Sequence, residues 1–176
     1  RKDKSARAAL INSVDAVVLC LPDDAAREAV SLIETDVKVV DASTAHRTDD
    51  DWTYGFAEMC EGQRAKSRDA RRVSNPGCYA TGFVALARPL RDAGLLREEA
   101  KLACSAVSGY TGGGKALVQI HEAGAEPWGA YGFNLNHKHL PEMTKHSKLT
   151  TSPVFLPSVG AFAQGMVVSL LLHDDD

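Results

Sequence analysis

Apolar runs and helical spacing alternate along the N-terminal part of the chain. Val14 to Leu21 is almost continuously apolar, which predicts a strand buried on both faces, as in parallel sheets that helices cover. Ala25 to Glu34 carries apolar residues at helical spacing, and Val37 to Asp41 is again strand-like. This order predicts a β-α-β unit with a right-handed crossover and a parallel sheet.

The pattern changes in the second half of the chain. Apolar residues recur at helical spacing from Tyr79 to Leu90, and Ala93-Gly94 marks the end of this helix because glycine commonly follows a helix C-terminus. Leu102 to Ser108 is predicted to be a strand. We expect Pro153 to Gln164 to be rich in loops, and Gly165 to Leu172 to be a last strand in the interior of a sheet.

These patterns predict an α/β fold with a domain boundary near Asn75 to Cys78. Residues 1–76 would form part of a Rossmann-type domain with a parallel sheet, and residues 77–176 part of an α+β domain. The G-x-G-x-x-G fingerprint of dinucleotide sites is absent from the sequence. Because the chain starts at Arg1 without methionine and stops directly after a strand-like segment, we expect it to be truncated at both ends.

Composition narrows the classes of function. A formal net charge of -3, a charged fraction of 24% and the lack of a basic run argue against nucleic-acid or membrane-surface binding. No apolar run reaches the roughly 20 residues of a membrane-spanning helix. The four cysteines are scattered, without a C-x-x-C pair or a secretory signal, which argues against a disulfide framework or structural zinc and favours a cytoplasmic location.

The segment from Ser74 to Gly82 holds the first candidate for chemistry. Its Pro-Gly turn delivers Cys78 to the point where a helix is predicted to begin. Backbone N–H groups and the positive end of the helix dipole stabilise a thiolate there. The alternative is a small apolar residue that fills space in the core, because free cysteine is often buried.

Ligands of parallel sheets bind at loops that follow the carboxyl ends of the strands. Such loops are expected at Cys20 to Asp23 and at Asp41 to Arg47. The alternative for the second loop is an ordinary turn with capping residues. Its candidate ligand contacts are Ser43, Thr44, His46 and Arg47.

Two further clusters follow in the second half of the chain. Gly109 to Lys115 contains three consecutive glycines before the lysine, so its backbone N–H groups could approach an anion closely; the alternative is a flexible loop without a ligand. In an extended segment His137 and His139 would point to one face. No third ligand stands at short spacing, so we predict no metal site.

A nucleophilic cysteine needs a proton partner and a group that holds the charge of the substrate. The chain supplies Cys78, the two histidines, and the glycine-lysine loop with Arg47 as extra positive charge. A β-α-β unit typical of nucleotide binding precedes them. This combination suits an enzyme that forms a thioester and exchanges hydride with a nicotinamide cofactor.

Four motifs in this order resemble the N-acetyl-gamma-glutamyl-phosphate reductase family in its shorter bacterial form, within the superfamily of aspartate-semialdehyde dehydrogenase and glyceraldehyde-3-phosphate dehydrogenase. The similarity extends from about Asp15 to Val168. The motifs are Asp41 to Arg47, Ser74 to Tyr79, Ser105 to Lys115 and His137 to Glu142.

The resemblance implies NADPH-dependent reduction of an acyl phosphate to a semialdehyde, with release of phosphate, in arginine biosynthesis. It makes Cys78 the nucleophile and either His137 or His139 the acid/base, while the other histidine, with Glu142, would orient the acid/base or contact the substrate. It also implies a cytoplasmic homo-oligomer with residues 1–76 as the NADP-binding part. The substrate-binding residues it implies are Arg47, Asn75, Ser108, Gly109, Lys115 and Glu142. The cofactor-binding residues it implies are Leu21, Pro22, Ser43 and Gly77.

Two alternatives stay open at this point. The Ser74 to Tyr79 motif suits aspartate-semialdehyde dehydrogenase more loosely, and that enzyme performs the same chemistry on a smaller acid. A non-catalytic binding or scaffold module that retained the fold is an alternative of a different class, since a fold does not imply a function.

Overall fold

The computed structural model describes residues 3–34, 36–124 and 127–173. The chain divides into two compact units, Arg1–Pro76 and Gly77–Asp176. The described part of each unit has its own β-sheet and its own apolar core. That the first unit binds the cofactor and the second the substrate stays a prediction.

The first unit is built on a parallel sheet. Over the described residues its strands follow the order β1-β2-β4-β3, and all neighbours are parallel. The predicted parallel β-α-β unit is therefore confirmed. In chain order the elements are α1 (Lys4–Ile11), β1 (Ala16–Leu19), α2 (Asp23–Val30), β2 (Lys38–Asp41), β3 (Thr53–Tyr54), α3 (Gln63–Asp69) and β4 (Arg72–Ser74).

The prediction that the first strand is buried on both faces is wrong for this chain. Leu19 is buried, whereas Val18 is 67% exposed. Side chains alternate across a strand, and the core that contains Ile11 of α1 and Ala29 of α2 includes Leu19. Val18 therefore points to the opposite, exposed face.

The second unit combines a mixed sheet with helices, which confirms the predicted α+β architecture. In the described part β5 pairs with β7 in parallel and with β8 in antiparallel orientation, and the strand order is β6-β7-β5-β8. A short 3-10 turn follows β5 at Tyr110–Gly113. The other elements are α4 (Cys78–Asp92), β5 (Ala103–Gly109), α5 (Gly114–Glu122), β6 (Trp128–Ala130), α6 (Leu140–His146), β7 (Val154–Gly160) and β8 (Met166–Leu171).

Helix α4 forms one side of the core of the second unit. Tyr79, Phe83 and Ala87 stand four residues apart and are all buried, so they form one apolar stripe of the helix. This stripe belongs to the same core as Phe155 of β7. Burial of one such large apolar side chain contributes about 1.5–3 kcal/mol. The helix ends as predicted, since Gly94 adopts a φ of 70° beyond it.

Two expectations for the C-terminal part are wrong. The stretch expected to be rich in loops contains β7, a seven-residue strand. Its proline and glycine residues suggest turns, but pairing with β5 and β6 overrides that local signal. The last strand, β8, stands at one end of the described strand order and not in the sheet interior.

Two classes of feature are absent from the described residues. None of the helices in these ranges has the length and apolar character needed to cross a membrane. Over the same ranges, no group of three or more His, Cys, Asp and Glu side chains is placed to hold a metal ion.

Candidate active site

Cys78 is the first residue of the 15-residue helix α4, and it is exposed. The first turn of α4, all of which is described, carries no acidic residue. No acidic side chain of this first turn therefore neutralises the positive end of the helix dipole, beside which Cys78 stands. Burial raises the pKa of the Cys104 thiol to about 11, so this second thiol of the same unit stays protonated at neutral pH.

Gly77, the residue before the cysteine, is hydrogen-bonded through both its N–H and its carbonyl oxygen. The N–H of Gly77 donates to Oε2 of Glu142 at 3.0 Å. Its carbonyl oxygen accepts from the backbone N–H and from the hydroxyl of Thr81, each at 2.9 Å. These bonds fix the turn that presents Cys78. The predicted role of Gly77 in cofactor binding remains a prediction.

The segment around the two histidines is not extended as expected. His139 has helical backbone angles (φ -89°, ψ -10°) and directly precedes α6. Its N–H donates to Nδ1 of His137 at 3.1 Å, and the two ring centroids are 4.7 Å apart. The two rings are therefore close together because the backbone turns between them, and not because they lie on the same face of a strand.

The two histidines differ in their electrostatic surroundings. Burial, with a smaller contribution from the charge of Lys138, lowers the pKa of His137. Nδ1 of His137 accepts a backbone N–H and so carries no proton, which is consistent with a neutral ring. By contrast, Nε2 of His139 lies 3.9 Å from Oε1 of Glu142, so an acidic side chain stands beside this ring.

A cavity of about 750 Å³ in the second unit brings the predicted chemistry together. Cys78, His137 and His139 all line it, as does Ser108. Elsewhere its wall is largely apolar and comes mostly from α5, from β6 and from the residue that follows β6. The residues of this wall include Ala116, Leu117, Ile120, His121, Trp128 and Tyr131.

Sequence reasoning missed this apolar wall. Leu117, Ile120 and His121 are spaced three and four residues apart, a helical pattern that would have predicted α5. Tyr131 carried no such signal. Burial, followed by the neighbouring Tyr79 and Cys78, raises the pKa of Tyr131, so its hydroxyl remains protonated and able to donate a hydrogen bond.

Ser108 is fixed at the cavity by Tyr79. The hydroxyl of Tyr79 donates to the carbonyl oxygen of Ser158 at 2.9 Å and lies 2.9 Å from Oγ of Ser108. Tyr79 is 3% exposed, so this hydrogen-bonded pair is anchored in the core. Ser108 lies where a substrate in the cavity could contact it, and this contact stays a prediction.

Gly109 and Lys115 do not line this cavity. A Cβ at Gly109 would lie 2.6 Å from the carbonyl oxygen of Ala163, so close backbone packing requires glycine there. Lys115 is exposed in the first turn of α5. The segment Gly109 to Lys115, for which an anion-binding loop and a flexible loop were the two possibilities, forms a 3-10 turn followed by the start of this helix. Their predicted substrate contacts stay predictions.

In the first unit, the loop after β2 is organised around a buried carboxylate. Asp41 is fully buried and accepts from the N–H of Ser43 at 3.0 Å and from its hydroxyl at 2.7 Å. Nδ1 of His46 lies 2.6 Å from the same carboxylate, and its ring stacks on Trp52. Ser43 and His46 therefore hold the loop together, as the capping-turn alternative expects.

Arg47 and Thr44 are also engaged within this unit. The guanidinium of Arg47 donates to the carbonyl oxygens of Asn75 at 2.9 Å and Ala42 at 3.1 Å, and the residue is buried. Both the backbone N–H and the hydroxyl of Thr44 donate to the carboxylate of Asp23, and the hydroxyl bond is the main cause that lowers the pKa of Asp23. A role of Arg47 in substrate binding remains a prediction that these bonds do not support.

The other predicted residues of the first unit are exposed. Leu21 and Pro22 lie between β1 and α2, at the carboxyl end of the strand. Asn75 follows β4 and is also exposed. The structure thus brings the predicted catalytic residues of the second unit to one cavity, whereas several predicted contacts of the first unit stabilise its own loop.

Comparison with known proteins identifies both units. Residues 78–175 match the family described as "Semialdehyde dehydrogenase, dimerisation domain", and residues 2–67 match "Semialdehyde dehydrogenase, NAD binding domain". The chain is 52% identical to the N-acetyl-gamma-glutamyl-phosphate reductase of Sinorhizobium medicae, over 100% of this chain and 59% of that protein. It is also 52% identical to N-acetyl-gamma-glutamyl-phosphate reductase 2 of Nostoc sp., over 98% of this chain and 56% of the relative.

These relatives confirm the resemblance inferred from the four motifs, and the chain spans less than two thirds of their length. Among solved structures, aspartate semialdehyde dehydrogenase II from Vibrio cholerae is similar, with a TM-score of 0.65 and 16% sequence identity. The similarity covers 91% of this chain and 56% of that chain. At this identity the likeness shows a shared fold.

Proposed function

The chain belongs to the semialdehyde dehydrogenase family, and from this premise we propose that the protein is an NADPH-dependent reductase in arginine biosynthesis. It converts N-acetyl-gamma-glutamyl phosphate into N-acetylglutamate 5-semialdehyde and phosphate. The observation that carries this proposal is Cys78, exposed at a helix start in a cavity shared with two histidines. Relatives of that name, about half identical to this chain, support the choice of substrate.

The first step forms a thioester on Cys78. The thiolate attacks the γ-acyl carbon of the substrate, a C–S bond forms, and the C–O bond to the phosphate breaks. Phosphate leaves with the electron pair of that bond. The N-terminus of α4 contributes by stabilising the thiolate before attack.

The exposed position of Leu21 and Pro22 after β1 suits apolar contact with a nicotinamide ring. When bound, NADPH would supply the hydride for reduction of the thioester to a thiohemiacetal. The hydroxyl of Ser43 already donates to Asp41, so this residue would contact a cofactor through other atoms. Residues that bind the diphosphate through a G-x-G-x-x-G turn are not part of this sequence.

In the second step the substrate oxygen takes up a proton when the thioester is reduced, and it gives this proton back when the aldehyde is released. We assign this proton to His139, because Glu142 stands beside its ring and balances the imidazolium. When the thiohemiacetal collapses, its oxygen gives up the proton, the C–S bond breaks, and the sulfur leaves as the thiolate. His137 would instead hold its neighbour through its Nδ1 contact.

The apolar wall of the cavity supports an N-acylated substrate. Leu117, Ile120 and Trp128 line the same space as Cys78, and Ile120 and Trp128 are more than half exposed there. An acetyl group that covers such surface gains free energy from burial, whereas a charged ammonium group does not.

Assay of the intact protein with NADP and phosphate tests this proposal. We expect kcat/KM for N-acetylglutamate 5-semialdehyde to exceed that for aspartate semialdehyde by at least about 100-fold. Faster turnover of aspartate semialdehyde would identify the protein as an aspartate-semialdehyde dehydrogenase. Turnover of neither compound would favour a binding or scaffold module.

We further propose that the protein is a homo-oligomer that buries one face of the sheet of the second unit. Val167 and Leu171 of β8 are 61% and 53% exposed, and Val154 of β7 is 53% exposed. The register through β5 places these side chains on one face, because Val154 and Leu171 both stand opposite Ala103. Such an exposed apolar face fits a second copy of the chain, and the family description as a dimerisation domain supports this partner.

Val167→Asp is expected to weaken self-association by raising the dissociation constant at least about tenfold, because a charge would have to be buried in the interface. Sedimentation equilibrium measures this constant. Leu95→Asp is the matched control, since Leu95 is 74% exposed outside the helices and strands of the same unit. An unchanged association of Val167→Asp would contradict the proposed interface.

The cytoplasmic location is likewise a proposal. The four cysteines Cys20, Cys60, Cys78 and Cys104 are all free in the structure, which supports a reducing compartment.

A further inference from the structure

Glu142 is a carboxylate enclosed in protein. It stands in the first turn of α6 and is 1% exposed. Although Cys78 and His139 line the cavity, Glu142 does not. A carboxylate taken out of water needs compensating contacts, and the side chain finds them on both of its oxygens.

The two oxygens of this carboxylate reach different parts of the site. Oε2 accepts the backbone N–H of Gly77 at 3.0 Å, one residue before the nucleophile. Oε1 lies 3.9 Å from Nε2 of His139, a distance that allows charge attraction but is too long for a hydrogen bond. One side chain therefore connects the turn that presents the thiol with the histidine ring.

We infer that Glu142 is a positioning residue that holds the Gly77-Cys78 turn and the His139 ring in a fixed relation. The resemblance left two roles open for Glu142, orienting the acid/base or contacting the substrate. Its burial away from the cavity wall favours the first role, and its bond to Gly77 extends that role to the turn that presents the cysteine. The inference rests on the proposed function of Cys78 and His139. A misplacement of reacting groups by about 1 Å is enough to slow an enzyme by about 100-fold.

Glu142→Gln separates positioning from substrate binding. The amide oxygen can still accept the N–H of Gly77, but the charge opposite His139 is lost. We expect kcat with N-acetylglutamate 5-semialdehyde to fall about 10- to 100-fold while KM stays within about threefold. Glu99→Gln is the matched control, because Glu99 is exposed in the same unit.

The conservative variant Glu142→Asp keeps the charge but is shorter by about 1.5 Å, so it cannot reach both partners. We expect it to lower kcat as well. If Glu142→Gln fails to fold, this variant carries the same test. A rise in KM with unchanged kcat would identify a substrate contact, and wild-type values for a folded variant would identify a packing role; either result overturns the inference.

A measurement without substrate distinguishes this inference from the proposed function. If the wild-type protein turns over no semialdehyde, the proposed function fails. The rate of Cys78 alkylation by iodoacetamide can still be compared between wild type and Glu142→Ala, which removes the acceptor of the Gly77 N–H that Glu142→Gln retains. We expect a change of at least about threefold at Cys78 and none at Cys60, and an unchanged Cys78 rate would overturn the positioning role.

Discussion

Cys78→Ser is expected to lower kcat by at least about a thousandfold, because removal of a covalent nucleophile usually costs this much or more. A serine hydroxyl at the start of α4 is not ionised at neutral pH, so the helix dipole has no anion to stabilise. Cofactor binding by the intact protein should remain largely unchanged, since Leu21 and Pro22 belong to the other unit.

Steady-state turnover of N-acetylglutamate 5-semialdehyde measures this loss, and mass spectrometry of the protein incubated with the acyl phosphate shows whether a thioester forms. Cys60→Ser is the control, because Cys60 is a free thiol in the first unit. Appreciable turnover by Cys78→Ser, or an adduct on another cysteine, would contradict the thioester mechanism.

His139→Asn is expected to lower kcat by about 100- to 10,000-fold, the usual contribution of a general acid/base. The prediction rests on the carboxylate of Glu142, which balances a positive charge on this ring but not on that of its neighbour. His137 has a lowered pKa and uses Nδ1 to accept a backbone N–H, so taking up a proton would cost this contact.

The matched variant is His137→Asn, measured under the same conditions. We expect its kcat to exceed that of His139→Asn by at least about tenfold. The centroids of the two rings lie only 4.7 Å apart and both rings line the cavity, so the two variants differ little in the position of the side chain that is removed. A greater loss of kcat in His137→Asn would reverse the assignment of the acid/base.

Local sequence was enough to place Cys78 at the start of a helix. Pro76 has no backbone N–H and therefore favours the end of the preceding strand. The apolar residues that follow recur at helical spacing, and the helix begins at Cys78. The helix end at Gly94 is equally local, because glycine tolerates the positive φ found there. The parallel β-α-β order follows from the same kind of short-range pattern.

Residue type alone could not decide which way the polar side chains point. Ser43, His46 and Arg47 were candidates for ligand contacts, yet they bond within their own unit. A polar residue in a loop at a sheet edge has the same sequence signature whether it contacts a ligand or satisfies a buried backbone group. The complete burial of Asp41 accounts for the bonds that Ser43 and His46 make, and the ligand contacts of this loop stay predictions.

The sequence by itself determined that a β-α-β unit comes first in the chain and that a cysteine later begins a helix, because these features depend on neighbours a few residues apart. Tertiary structure decided what surrounds the cysteine. Glu142 reaches Gly77 across 65 residues, and Tyr79 reaches the carbonyl of Ser158 across 79. Such contacts form only when distant elements pack together, so no local periodicity records them.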